Sequence, residues 1–182
     1  MPLPKLNEEQ VAWIVKEVTA YIQKQRRLFI ARAVRLNPNQ KAALQSFFPA
    51  SALDSARVLV LTRERVPNPC FYAQLLAMGF TSESLPDFSQ MVAVTFVDTI
   101  VSHGLVTDRT LFHELVHGVQ YAKLGLDTFA AKYVTGFLNG GSYEAIPLEM
   151  NAYELDARFA EAPMNNFSVE IEVQRWIDAG KF

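Results

Sequence analysis

The run QMVAVTFVDTIVSHG, Gln90 to Gly104, constrains the fold more than any other part of the chain. Five of its residues are Val or Ile, and Thr95, Phe96 and Thr99 lie among them. β-Branched and aromatic side chains suit a pleated, half-buried surface and lose χ1 freedom in a helix. The spacing predicts one strand or a bent hairpin. Val92, Val94, Phe96 and Ile100 fall on one face, and Thr95, Val97, Thr99 and Val101 on the other. Directly after it the apolar period lengthens to that of a helix. Thr107 or Asp108 can cap that helix, which spans 107–125 and stops at Gly125. The chain must therefore pack a short sheet against a helix that follows it closely in sequence.

Most of the remaining chain is helical in pattern. Asn7 and Gln10 form a capping box ahead of Val11, Ile14, Val15, Val18 and Ile22, which predicts a first helix reaching about Arg35. Pro38 suits the first turn of a second helix in LNPNQKAALQSFF. The run Ala56 to Thr62 reads as another strand. Pro67 and Pro69 mark a turn before a short helix. A helix starting at Asp127 or Thr128 ends near Asn139–Gly141, and Pro147 opens one over 147–162 that Pro163 stops. SVEIEVQRWIDAG closes the chain as a helix. The expectation is an α+β fold in one domain, 1–182, mostly helical with a short β-sheet. N-terminal helices occupy about 1–55 and the sheet region 56–102.

Composition narrows the function classes. A chain of 182 residues with 50% hydrophobic and 20% charged residues can bury one real core. The net charge of −2 offers no basic face, so no nucleic-acid partner is expected. The one basic run, KQRR at 24–27, reads as a solvated helix face. Cys70 is the sole cysteine, which leaves no intrachain disulfide. No apolar run approaches 18 residues and MPLPKLNEEQ has no signal core, so the expected setting is cytoplasmic with no membrane partner.

The helix over 107–125 contains His113-Glu114-Leu115-Val116-His117. Residues four apart lie one turn apart on the same face, roughly 5–6 Å between Cβ atoms. Two imidazoles there can converge on one Zn²⁺. Glu114 is displaced from that face by one position, near the metal without ligating it, where it can take a proton from water. Leu111, Phe112, Leu115, Val116 and Val119 can bury the rest of the helix and hold the histidines rigidly. Gly118 can allow close backbone approach.

On these residues the chain resembles the zincin metallopeptidases, whose active-site helix carries H-E-x-x-H beside a β-strand. The likeness covers about residues 90–160. The metzincin extension is absent, because no histidine follows His117. The resemblance therefore implies a gluzincin-like arrangement, as in small bacterial H-E-x-x-H domains, with a carboxylate from a later helix as third ligand. Candidates are Glu144, Glu149, Glu154 and Asp156. Glu149 is preferred, early in the Pro147 helix with Ala152, Tyr153 and Asp156 at helical spacing, and Glu154 is the runner-up. Asp156 can orient a histidine through its second nitrogen. His103 and Tyr153, with Tyr143, are candidate hydrogen-bond donors to a developing oxyanion, and His103 is also a substitute ligand.

The resulting expectation is a zinc metallopeptidase acting on a peptide or protein substrate. His113, His117 and Glu149 hold the metal, and Glu114 serves as base. Two rivals predict different behaviour. A zincin-fold binding domain would hold metal without turnover, and a structural helix with packed histidines would hold no metal.

Overall fold

The computed structural model describes residues 3–182. The first two residues of the expected domain lie outside it. Its helices are α1 (Glu8–Phe29), α2 (Pro38–Leu44), α3 (Ala50–Ser55), α4 (Tyr72–Ala77), α5 (Asp108–Leu124), α6 (Leu126–Gly140), α7 (Pro147–Glu161) and α8 (Val169–Asp178). The strands are β1 (Val34–Arg35), β2 (Arg57–Val60), β3 (Ala93–Phe96) and β4 (Thr99–Ser102). They form one mixed sheet in the order β1-β2-β4-β3, with β2 and β4 parallel and the outer pairs antiparallel. The fold is α+β and mostly helical, as the periodicity predicts. Among the described residues no helix is long and apolar enough to cross a membrane.

The sheet separates two apolar cores. On one side, Phe96 and Val101 pack with Ile14, Tyr21, Ile22 and Phe29 of α1 and with Phe129, Val134 and Phe137 of α6. On the other, Ile100 packs with Leu111, Phe112, Leu115, Val116 and Val119 of α5, and with residues of α2, α3, α7 and α8. Phe112 is the hub of this second core. It stacks on Phe159 at 4.5 Å between ring centroids and meets Phe47, Phe48 and Phe167. α5 lies against α6, α7, α8 and β3.

Two local expectations are corrected. The first helix ends at Phe29, and Val34–Arg35 pair with β2 where a helix to about Arg35 was expected. Asn37 precedes Pro38, a position that disfavours helical backbone, and Val34 gains a strand partner. The second correction concerns the hairpin. Its two-residue turn, Val97–Asp98, pairs Phe96 with Thr99, so Val94, Phe96, Thr99 and Val101 share one face and Ala93, Thr95, Ile100 and Ser102 the other. The straight-strand alternation had put Ile100 with Phe96; the turn reverses that phase and sends the two residues into different cores. Val97 adopts a φ of 65°, which tight hairpin turns demand but β-branched residues resist. Arg26 anchors the turn with two 2.7 Å bonds to the Asp98 carboxylate.

Gly136 positions the site from a distance. A Cβ there would fall 2.7 Å from Cδ of Pro147, the first residue of α7. Only glycine lets α6 and the start of α7 approach so closely. At Gly118, by contrast, a Cβ would meet the Val97 carbonyl at an ordinary 3.8 Å, so that glycine is not required for packing.

Candidate metal centre

Thr107 caps α5 by accepting from the Thr110 amide, and the apolar stripe of the helix is buried in the second core. That orientation turns His113 and His117 toward α7, where Glu149 sits in the first turn after Pro147. The three residues bring one ligand atom each into a single cluster. Nε2 of His113 lies 3.3 Å from Nε2 of His117. Glu149 Oε2 lies 3.5 Å from the first and 3.3 Å from the second.

This triangle fits zinc. Donors about 2.0–2.1 Å from a tetrahedral Zn²⁺ are separated by roughly 3.3–3.4 Å, the edge of the tetrahedron. The protonation pattern agrees. His113 Nδ1 is 2.8 Å from Asp156 Oδ2, and an ionised carboxylate only accepts, so Nδ1 carries the hydrogen. His117 Nδ1 is 2.9 Å from Gln120 Oε1, whose amide nitrogen donates to the Leu148 carbonyl and to Asn151. Both histidines are thus held with Nε2 toward the cluster. Glu149 Oε2 is buried with no hydrogen-bond partner. Two imidazole nitrogens and a carboxylate oxygen in a buried triangle form a group that could hold a metal ion.

The surrounding charges give the same answer. Burial alone would lower the His113 pKa, but its bond to Asp156 and the nearby Glu149 carboxylate outweigh this and raise it to about 10. His117 is also raised, against the pull of burial, chiefly by the charge of Glu149. Burial would raise the Glu149 carboxyl, yet the two histidines hold it well below its ordinary range. Without metal, the pocket fills its need for positive charge with protons.

Glu114 stays outside the triangle. It is buried on the β3 side of α5, where the Thr95 hydroxyl donates to its Oε2 at 2.6 Å. Burial raises its pKa, opposed by the neighbouring histidines. The hydroxyl of Tyr133 donates to Glu149 Oε1 at 3.2 Å. Asp156 is shared with Arg109, whose guanidinium bonds Oδ1 at 2.7 and 3.0 Å.

His113, His117 and Glu149 therefore meet as expected, and Asp156 takes the orienting role. Glu144 and Glu154 are exposed, away from the cluster. His103 does not reach the site. It is a clamp: Nε2 accepts from the Val66 amide at 2.9 Å and Nδ1 faces the Met91 carbonyl. Tyr153 packs its ring 4.7 Å from that of His113 and is 43% exposed, which places it on the outer side of the ligand. Tyr143 lies beside Glu149 and Tyr133. Sequence reasoning missed Thr95, Gln120, Arg109 and Tyr133. Gln120 and Arg109 had a signal, standing three residues after His117 and four before His113 on the same helix. Thr95 and Tyr133 had none, because other elements bring them in.

Comparisons with family models, curated proteins and solved structures find no match to this chain.

Proposed function

We propose that this protein is a zinc-dependent hydrolase that cleaves amide bonds by attack of water assisted by Glu114. The observation that carries the reading is the ligand triangle with its orphan Glu149 oxygen, next to a separate buried carboxylate. His113, His117 and Glu149 would hold the ion. Three protein ligands of this type leave a fourth position open, the pattern of catalytic rather than structural zinc. Bound there, zinc would supply Lewis acidity, polarising a carbonyl and acidifying a water.

The chain's own groups supply the rest. Asp156 and Gln120 fix the two imidazoles so that the ligand atoms do not wander. Burial makes Glu114 a stronger base than an exposed carboxylate, and the Thr95 hydroxyl holds one of its oxygens in place. Glu114 takes a proton from the attacking water and delivers it to the departing amine. Arg109 shares Asp156 with His113 and keeps that carboxylate in place.

The test is metal content followed by turnover. Reconstituted protein should hold one zinc per chain. Glu114→Gln should keep that zinc and lose hydrolysis by a factor on the order of 10²–10⁴. A wild-type chain that takes up no zinc sinks the proposal. Zinc held without turnover on any amide substrate points instead to a binding domain.

A further inference from the structure

A cavity begins at Glu114, His117 and Glu149 and runs away from them between α1 and α6. Val18 and Ile22 of α1, Leu75 of α4, Phe88 and Met91 of the segment before β3, and Leu138 of α6 are among its walls. Apart from the site itself, no charged side chain among the described residues lines it. No basic side chain of the wall beyond the site can pair with a carboxylate carried inward.

Most of the side-chain polar atoms of the wall are already used. Tyr21 donates to the Pro67 carbonyl at 2.9 Å and Tyr72 to the Pro86 carbonyl at 2.7 Å. Tyr133 is committed to Glu149 and Thr95 to Glu114. The Thr95 carbonyl, in the middle of the edge strand, faces the Tyr121 hydroxyl at 3.5 Å. Among the buried side-chain atoms of the described residues that lack a partner, Glu149 Oε2 alone lies in the cavity, facing the two histidines.

A peptide has N–H and C=O groups within two bonds of the scissile amide on either side. Entering this cavity, it would leave them unpaired. A hydrocarbon chain is apolar from its first carbon. We infer that the substrate is an N-acyl amide whose hydrocarbon chain occupies this cavity, with its carbonyl at the His113–His117–Glu149 cluster. Hydrolysis breaks the C–N bond. Water adds its oxygen to the acyl carbon, giving a fatty acid, and the leaving nitrogen takes a proton to become an amine. The inference rests on the proposed hydrolase reading for its chemistry and on the cavity alone for its selectivity.

Zinc-loaded protein titrated with straight-chain alkyl hydroxamates should bind about fourfold more tightly per added methylene between six and ten carbons. Val18→Phe narrows the cavity and should flatten that series while zinc content stays at the wild-type level. Leu138→Phe serves if the first variant does not fold. A series that does not depend on chain length, or a peptidyl hydroxamate that binds better than the decanoyl one, overturns the inference and leaves the hydrolase reading standing.

A second measurement needs no metal. The neutral dye N-phenyl-1-naphthylamine should bind the metal-free chain mole for mole. Decanamide should displace it from wild type and less readily from Val18→Phe. A chain that takes up no zinc overturns the hydrolase reading; the dye then decides the cavity by itself, and failure of decanamide to displace it overturns the inference.

Discussion

α5 has two faces, and they are built by opposite rules. On one, Phe112 is fully buried among four other phenylalanines. On the other, His117, Glu114 and the facing Glu149 are equally buried but polar, and they border an open cavity. Close packing tolerates little movement, so the first face fixes the helix. The second face spends that rigidity. Its buried charged groups persist because the backbone that carries them cannot relax away. The site is held from behind by aromatic packing and from the side by α7.

The sharpest way to break the contrast is on the polar face. Glu149→Ala removes one of three ligands and should weaken zinc binding by more than about a hundredfold, measured by competition with a chelator. It also removes the carboxylate that faces both histidines, so the metal-free variant should be less stable than wild type, and zinc affinity is compared on protein shown to be folded. The matching change on the packed face is Phe112→Ala. It should cost about 3–5 kcal/mol in denaturant unfolding, and the molecules that remain folded should still bind zinc. If Phe112→Ala removed the metal without lowering stability, the division of labour between the faces would be wrong.

Smaller effects test how the site is oriented. Asp156→Asn should reduce zinc affinity by about 10- to 100-fold, because it weakens the hold on His113 without touching a ligand atom. Gly136→Ala should destabilise by about 1–3 kcal/mol and weaken zinc binding as well, since the new methyl must push Pro147 and the start of α7 away.

The pH dependence sharpens the polar face further. His113 titrates at about 10 in the metal-free chain, so zinc uptake at pH 8 should release at least one proton into a weakly buffered indicator dye. Affinity should rise with pH up to about 10 and then level. The sign for the metal-free fold is the reverse. A raised folded-state value means that the His113 contribution to stability is complete below its ordinary 6.5 and is lost as pH rises through about 10.

Some of this was legible before any coordinates. The H-E-x-x-H spacing and the cap at Thr107 depend only on helical periodicity, so His113, Glu114 and His117 could be assigned roles from their neighbours. Glu149 needed a weaker argument, its place early in a Pro-started helix. The hairpin phase could not be read, because Val97 adopts a backbone conformation that its side chain disfavours and tertiary contacts impose. His103 had a suggestive position at the end of a strand, yet the loop carrying Val66 claims it.

By itself the sequence determined what is local: which stretches are helical, where most of them stop, and which helix carries two imidazoles one turn apart. Short-range sterics and hydrogen bonding decide these matters. Tertiary structure alone decided what is distant. It closed a 3.3–3.5 Å triangle across 32 residues between His117 and Glu149, committed the tyrosine hydroxyls, and left an apolar cavity where a packed core would otherwise be. Those outcomes depend on how whole elements fill space against each other, and no window of sequence contains that information.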